Sequence, residues 1–333
     1  MITKIPKRQR IIMPSLIAHH VSLADKNWFA TGGCARYFAQ PDSVESFRCV
    51  LAYATTHNLS VFVLGSGANV LISDHGFNGL VIKPTLRNIG ITATYGDQVQ
   101  VMAQAGVTID ELIEWCLDNQ ISGLEEFSGI PGTVGGSVYI NLHYFQFLLS
   151  QFLVRAQVIH HASGQVLTVD NSWFNFGYDH SVLQAHKYYL VSATFALKRV
   201  TEKEVDYARG RRAEIIRHRL QRYPHRNTCG SFFRNFYDHE VSLEIGGKKM
   251  IYVAYYLDKI GIKGVLQVGG ARVSHQHANM MVTDNNATSN DIMLLAREMQ
   301  RLVYDNFGVM PQLECKLVGF SSDELCALGC TQE

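Results

Sequence analysis

The sequence predicts a mixed fold, α+β or α/β, divided into two domains. Three observations carry that expectation. Short strand-like stretches alternate with glycine turns through the first third of the chain. The segments 108–120 and 288–307 repeat apolar residues at helical spacing. The composition then changes after residue 200, where 201–226 holds eight Lys or Arg against four Asp or Glu. With 333 residues, 47% of them hydrophobic and 18% charged, the chain has the length for two domains and the apolar content for sizeable cores.

Taken in order, residues 43–58 read as a surface helix and 59–65 as an emerging strand. Gly67, Gly76 and Gly79 then punctuate a turn-rich stretch that leads into a strand at 80–82. Residues 99–106 form a strand and 108–120 a helix. Thr108 caps that helix, and Ile109, Leu112, Ile113, Cys116 and Leu117 lie along one face. A second glycine cluster, GIPGTVGG, fills 129–136, and the apolar run 137–154 after it reads as a strand and then a helix. From 154 to 197 the chain is largely β, with two short strands around Gly164 and another over 190–200. A helix begins at 201, ends before Pro224 and opens the second domain, its charges forming a solvated face. The later helix, 288–307, aligns Ile292, Leu295, Ala296, Met299, Leu302 and Val303, and Gly308 stops it.

Thirty basic against 29 acidic residues exclude a protein defined by broad positive charge, so neither a nucleic-acid nor a membrane partner is expected. Seven cysteines are too few for a disulfide scaffold, and the spacing of Cys326 and Cys330 completes no zinc set. The HxH pair His275 and His277 lacks a further ligand, so no metal is expected. The basic start of the chain contains only a short apolar part, interrupted by Pro14, and makes a poor secretory signal. A cytoplasmic protein is the expectation.

The chemistry-bearing features are the glycine clusters. Gly65 and Gly67 follow a strand, with Ser66, Ala68, Asn69 and Ser73 beside them. Gly129, Ile130, Pro131, Gly132, Thr133, Gly135 and Gly136 form the second cluster. Glycine lets successive backbone amides approach a phosphate without a Cβ clash, although tight β turns explain either cluster equally well. Neither matches the P-loop or the Rossmann fingerprint.

Five segments in order, NWFATGGCARYFAQP, VLGSGANVLISDHGFNGLVI, GLEEFSGIPGTVGGSV, NTCGSFFRNF and LECKLVG, resemble the UDP-N-acetylenolpyruvoylglucosamine reductases over roughly residues 27–319. The resemblance implies a two-lobed FAD-binding part of the vanillyl-alcohol-oxidase type over 21–200 and a separate α+β substrate-binding domain over 201–320. An extension, 1–20, precedes them and a tail, 321–333, follows. It also implies that both glycine clusters cradle FAD and that NADPH is the reducing co-substrate. Hydride then passes through the flavin to the enolpyruvyl double bond of UDP-N-acetylglucosamine enolpyruvate, giving UDP-N-acetylmuramate for peptidoglycan. No obligate protein partner is implied.

By the same resemblance Ser231 donates the proton, and Glu314 shares in proton transfer. Tyr178 matches a family tyrosine, whereas the arginine that follows it in the family is Asp179 here, a reversal of charge. His180 or Arg155 is a candidate replacement cation. A second departure is the bulky run 142–149, which stands where the family has a small segment. Arg234 takes the place of a family lysine, and Asn235, Tyr252, Tyr256, Lys263, Gln276, His277 and Asn279 are candidates for substrate binding. Two alternatives follow from the departures: a noncatalytic flavin or nucleotide-sugar binding protein, or a flavin oxidoreductase with a changed substrate.

Overall fold

The computed structural model describes residues 16–326. In chain order the principal elements of the first part are β1 (Ile17–Ser22), β2 (Cys34–Ala39), α1 (Val44–Thr56), β3 (Val61–Val63), β4 (Val70–Ile72), β5 (Phe77–Ile82), β6 (Ile89–Tyr95), β7 (Gln98–Gln104), α2 (Ile109–Asp118) and β8 (Ile121–Ser122). There follow α3 (Val134–Tyr139), β9 (His143–Tyr144), β10 (Phe147–Leu148), β11 (Leu153–His160), β12 (Val166–Asp170), β13 (Tyr188–Arg199) and α4 (Glu202–Arg222). The last part holds β14 (Glu244–Ile245), β15 (Lys248–Lys249), α5 (Val253–Ile260), β16 (Gln267–Val268), β17 (Ala271–Val273), β18 (Met281–Thr283), α6 (Ser289–Phe307) and β19 (Lys316–Val318). The fold is mixed α and β, as expected. Strand β1 runs across residue 20, so the described end of the expected extension is part of a sheet. Among the described residues no helix is long and apolar enough to cross a membrane.

Two compact units share these elements. One comprises the described residues up to Val21 with Arg36–Ser66 and Gly79–His218. The other comprises Ser22–Ala35, Gly67–Asn78 and the described residues from Arg219 onward. Each is therefore built from separated stretches of sequence.

The first unit centres on an antiparallel sheet in the order β12-β11-β13-β7-β6, with β8 also pairing to β13. Along β7, Val99, Val101 and Ala103 alternate into the core, the period-two pattern of a strand with one buried face. Helix α2 lays Ile109, Leu112, Ile113, Cys116 and Leu117 into the same core. Each side chain so buried contributes about 1.5–3 kcal/mol. A second cluster packs Phe47, Val50, Leu51 and Ala54 of α1 with Leu80 and Ile82 of β5. The parallel pairing of β3 with β5 lies in the sheet ordered β1-β2-β5-β3.

Helix α4 forms where expected, over Glu202–Arg222 and ending before Pro224, but part of its charge run is paired rather than simply solvated. Its arginines form a network with acids of the first unit: Arg209 bonds Glu114 and Asp118, Arg212 bonds Asp110 and Glu114, and Arg211 bonds Glu126. These three arginines of the charge run therefore face acids of the first unit, while others such as Arg217 stay on the solvated side, and exposed pairs of this kind are worth only about 0–1 kcal/mol each. The run 137–154 also departs from expectation, because the helix comes first and a hairpin follows. Helix α3 starts inside the glycine cluster, where Thr133 caps it by accepting from Gly136 N at 3.2 Å. The bulky residues after it pair as β9 with β10.

In the second unit, β16-β17-β18 form an antiparallel meander and β4 pairs in parallel with β19. Helices α5 and α6 cover a core that includes Phe232, Phe233, Tyr256, Leu257, Val273, Leu295 and Met299. Three glycines let separated segments of this unit touch. A Cβ on Gly33 would meet the backbone of Asp74 and Gly76, and one on Gly319 would meet Gly76 O. Gly76, at φ 77°, is itself pressed against Cys34.

The α2 start has a full capping box: Glu111 N bonds Thr108 Oγ1 at 3.1 Å, and Thr108 N bonds the Glu111 carboxylate at 2.8 Å. Thr108→Ala is expected to cost about 1 kcal/mol of stability, read as a lower urea midpoint at unchanged slope by tryptophan fluorescence. An unchanged midpoint would show that the cap is redundant.

Candidate functional site

In the first unit the turn after β3 and the start of α3 lie against each other. A Cβ on Gly65 would stand 2.7 Å from Thr133 Oγ1, so only glycine permits that approach. Gly129 has φ 73°, and the neighbouring Ser128 hydroxyl is buried without a hydrogen-bond partner among the described residues. Gly135 is held by its N–H on Ala105 O at 2.9 Å, and Ile109 N bonds Gly132 O at 3.0 Å. Ile130 and Pro131 are half-buried between these glycines, and Gly136 N is spent on Thr133. Two glycine turns at close quarters and an unsatisfied buried hydroxyl fit the diphosphate of a dinucleotide cofactor. Ser66 belongs to this unit, while Gly67, Ala68, Asn69 and Ser73 belong to the other. There Gly67 O accepts from Trp28 N at 3.0 Å, Asn69 Oδ1 is buried without a partner among the described residues, and Ser73 N bonds Val318 O.

The departure at Asp179 lies in a turn closed by hydrogen bonds between Gly177 and His180. Asp179 has φ 51°, and Gln184 Nε2 donates to its carbonyl at 2.7 Å. Its carboxylate stands 3.3 Å from Nδ1 of His143 on β9. The His143 ring lies 4.9 Å from the ring of Tyr178. Asn141 Nδ2 donates to Gly177 O at 3.0 Å, and Ser181 Oγ donates to Tyr139 O at 2.7 Å. The two places where the chain departs from the resemblance therefore touch. His180 is exposed in the turn, and Arg155 is exposed in β11 opposite Asp170.

In the second unit Ser231 and Glu314 lie on neighbouring stretches of backbone. Phe232 O accepts from Glu314 N at 2.9 Å, Phe233 pairs with Leu313, and Ser231 pairs with Met280. Asn279 fixes this arrangement. Its Nδ2 donates to Phe233 O at 2.7 Å, and its Oδ1 accepts from Phe233 N at 3.1 Å. Close in sequence to Ser231 and Glu314, the buried thiols of Cys229 and Cys315 lie against each other. Burial first, and then the Cys315 thiol, hold Cys229 protonated far above its ordinary range.

The other candidates fall into two groups. Arg234 makes a two-pronged pair with Glu240 at 2.7 and 2.8 Å and lies over the Tyr237 ring, while its Nη1 also bonds Asn235 O. That pairing holds the Glu240 carboxyl below its usual range. Tyr256 is a core residue whose hydroxyl donates to Met250 O, and Asn279 is likewise buried and spent on backbone. Tyr252 is exposed at the start of α5, and Lys263 pairs with Asp258 at 3.3 Å. Gln276 donates to the carbonyls of Leu220 and Gln221 at the end of α4. His277 is largely buried and its Nδ1 has no partner among the described residues. Burial, and then Arg222 and Lys263, push its pKa down to about 4. Sequence reasoning passed over His143 and Glu240. His143 lies inside a run read as apolar, and Glu240 sits six residues beyond its arginine.

Comparison with known proteins matches residues 35–170 to the FAD binding domain model and 221–318 to the C-terminal domain model of UDP-N-acetylenolpyruvoylglucosamine reductase. An FAD-binding domain followed by a reductase C-terminal domain defines a flavin-dependent oxidoreductase. A UDP-N-acetylenolpyruvoylglucosamine reductase of Trichormus variabilis is 33% identical over 291 residues, covering 87% of this chain and 83% of that protein. One of Prochlorococcus marinus is 30% identical over 303 residues, covering 90% and 97%. The crystal structure of the enzyme of that name from Thermus caldophilus superposes with a TM-score of 0.71 at 25% identity, over 90% of this chain and 98% of that one. The chain belongs to the UDP-N-acetylenolpyruvoylglucosamine reductase family.

Two predictions follow from this geometry. Gly65→Ala is expected to lower the flavin retained by the purified protein at least about fivefold, read as the ratio of flavin to protein absorbance, because the methyl group displaces Thr133. Full flavin content would remove Gly65 from the cradle. The second concerns His277, whose pKa falls from 6.5 to about 4 on folding. The unfolded chain binds more protons between those values, so this stability is complete above pH 6.5 and declines as pH falls toward 4, by up to about 3 kcal/mol. His277→Gln is expected to flatten that decline in urea titrations between pH 7 and 4. An equally steep decline in the variant would place the effect elsewhere.

Proposed function

We propose that this chain reduces UDP-N-acetylglucosamine enolpyruvate to UDP-N-acetylmuramate in the cytoplasm, with FAD as cofactor and NADPH as reductant. Residues 21–200 would form the part that holds FAD, and 201–320 the part that holds substrate. The observation that carries the reading is the register around Phe232, which sets Ser231 and Glu314 on adjoining backbone with Asn279 locking the stretch between them. Family membership supplies the substrate class.

Bound FAD supplies a group that accepts hydride from one substrate and returns it to another. Gly65, Gly129, Gly132 and Thr133 would hold its diphosphate through backbone amides. Reduction adds hydride to one carbon of the enolpyruvyl double bond and a proton to the carbon beside the carboxylate, leaving a saturated ether. Ser231 Oγ gives that proton, and Glu314 orients the developing acid group and shares a proton with it. Tyr178 is a further candidate through its match to a family tyrosine.

A second reading, binding without turnover, is favoured by the acidic Asp179 at the position of a family arginine. One experiment separates the two. Flavin-loaded protein is reduced with NADPH under anaerobic conditions, freed of excess NADPH and mixed with the enolpyruvyl UDP-sugar while flavin absorbance is recorded. Reoxidation at substrate-dependent rates supports the reductase, whereas binding without reoxidation supports the second reading. Ser231→Ala is expected to slow reoxidation about 100-fold or more while changing flavin reduction far less. Parent-like reoxidation in that variant would reject Ser231 as the donor. Glu314→Gln is expected to slow the same step about tenfold or more.

A further inference from the structure

Cys229 and Cys315 are far apart in sequence, yet they lie against each other in the core of the second unit, 6% and 3% exposed. Neither is in a disulfide. Each thiol also donates weakly to the carbonyl of the next residue, Gly230 O and Lys316 O, both at 3.9 Å. Backbone ties the two stretches together. Phe232 O accepts from Glu314 N at 2.9 Å and from Cys315 N at 3.3 Å, and Phe233 pairs with Leu313. The contact between the thiols is therefore set by paired main chain rather than by two mobile side chains. The other described cysteines differ: Cys34 and Cys326 are exposed, Cys49 is half-buried on α1, and Cys116 lies in the core of the first unit.

Two thiols held in contact are the reduced form of a disulfide. Hydrogen peroxide is the oxidant that closes it: one sulfur takes an oxygen from the peroxide to become a sulfenic acid, and one water leaves. The neighbouring thiol then displaces the hydroxyl group as a second water, and the S–S bond forms. Two hydrogens and two electrons have left the sulfurs, and the peroxide has become two waters. Burial holds Cys229 protonated, and the thiolate is the reactive form, so the link closes slowly and under sustained oxidant. A covalent bond holds two sulfurs much closer than non-bonded contact allows, so closing it pulls on the paired stretches. Glu314 adjoins Cys315, and only Gly230, at φ 83°, separates Cys229 from Ser231. We propose that Cys229 and Cys315 form an oxidant-driven disulfide that shifts Ser231 and Glu314 and so slows the reduction, and that a dithiol reverses it. The effect on activity rests on the proposed reductase reading, whereas the disulfide itself does not.

The test uses the flavin-loaded full chain, its exposed thiols first capped with N-ethylmaleimide under native conditions. The capped protein is treated with hydrogen peroxide, freed of it with catalase, and divided between peptide mapping without reductant and the anaerobic reoxidation assay. Mapping is expected to recover the Cys229 and Cys315 peptides joined and lighter by two hydrogens, and dithiothreitol to separate them. Reoxidation by the enolpyruvyl UDP-sugar is expected to fall at least about tenfold in the linked protein, because a misplacement of about 1 Å costs catalysis on the order of 100-fold. Dithiothreitol is expected to restore the rate of the capped, untreated protein. C229S and C315S are each expected to match the capped parent before peroxide and to keep that rate after it. If one variant fails to fold, the other carries the comparison. The absence of a joined peptide, or a linked protein that reoxidises at the untreated rate, overturns the inference. An equal loss of rate in either variant after peroxide also overturns it, because the loss then arises elsewhere. A parent that the substrate fails to reoxidise before any peroxide overturns the reductase reading, and peptide mapping still decides the disulfide.

Discussion

The second unit depends on places where backbone must pass backbone with no side chain between. Gly33, Gly76 and Gly319 come from three separated stretches, and each stands where a Cβ would collide with main-chain atoms of another. Once those stretches are in contact, Asp74 exchanges hydrogen bonds with Ser289 at the start of α6, and Ser73 N bonds Val318 O beside β19. Strand β19 follows directly on Glu314 and Cys315, whose N–H groups both reach Phe232 O. A packing constraint of atomic size thus fixes the stretch that faces Ser231.

The chain's near balance of charge conceals strong local arrangements. Arg209, Arg211 and Arg212 of helix α4 are paired with acids of the first unit, and Arg234 is gripped by Glu240. Exposed ion pairs contribute little energy, but a two-pronged arginine pair fixes direction well. Arg234 is consequently better suited to holding the Phe233–Tyr237 backbone than to reaching freely for an anion. Asp179 likewise has a local partner, its carboxylate standing 3.3 Å from His143 Nδ1 on the adjoining hairpin.

Much of the fold was legible because its elements obey local rules. Helices α2 and α6 repeat apolar residues on one face and begin at Thr108 and Thr288, each with a capping box. Strands β11 and β12 turn at Gly164 as their composition suggests. The run 137–154 was harder, because apolar content alone does not distinguish a short buried helix and a hairpin from a strand and a longer helix. The glycine clusters and the Ser231 and Glu314 motifs were visible as patterns, but the partners that set their geometry were not. Asn279 reaches Phe233 across 46 residues, and His143 reaches Asp179 across a comparable stretch. Nothing periodic links such positions, so only the folded chain brings them together.

The parallel pairing of β4 with β19 has a consequence for biosynthesis. Val70, Leu71 and Ile72 lie opposite Lys316, Leu317 and Val318, so an early strand waits for a very late one. During vectorial translation the edge of β4 lacks this partner until residues 316–318 have left the ribosome, and an unpaired strand edge invites wrong partners. The long-range closure that completes this pairing is also slow on grounds of topology. Nascent chains stalled before codon 316 would therefore present a sticky, incomplete unit to chaperones.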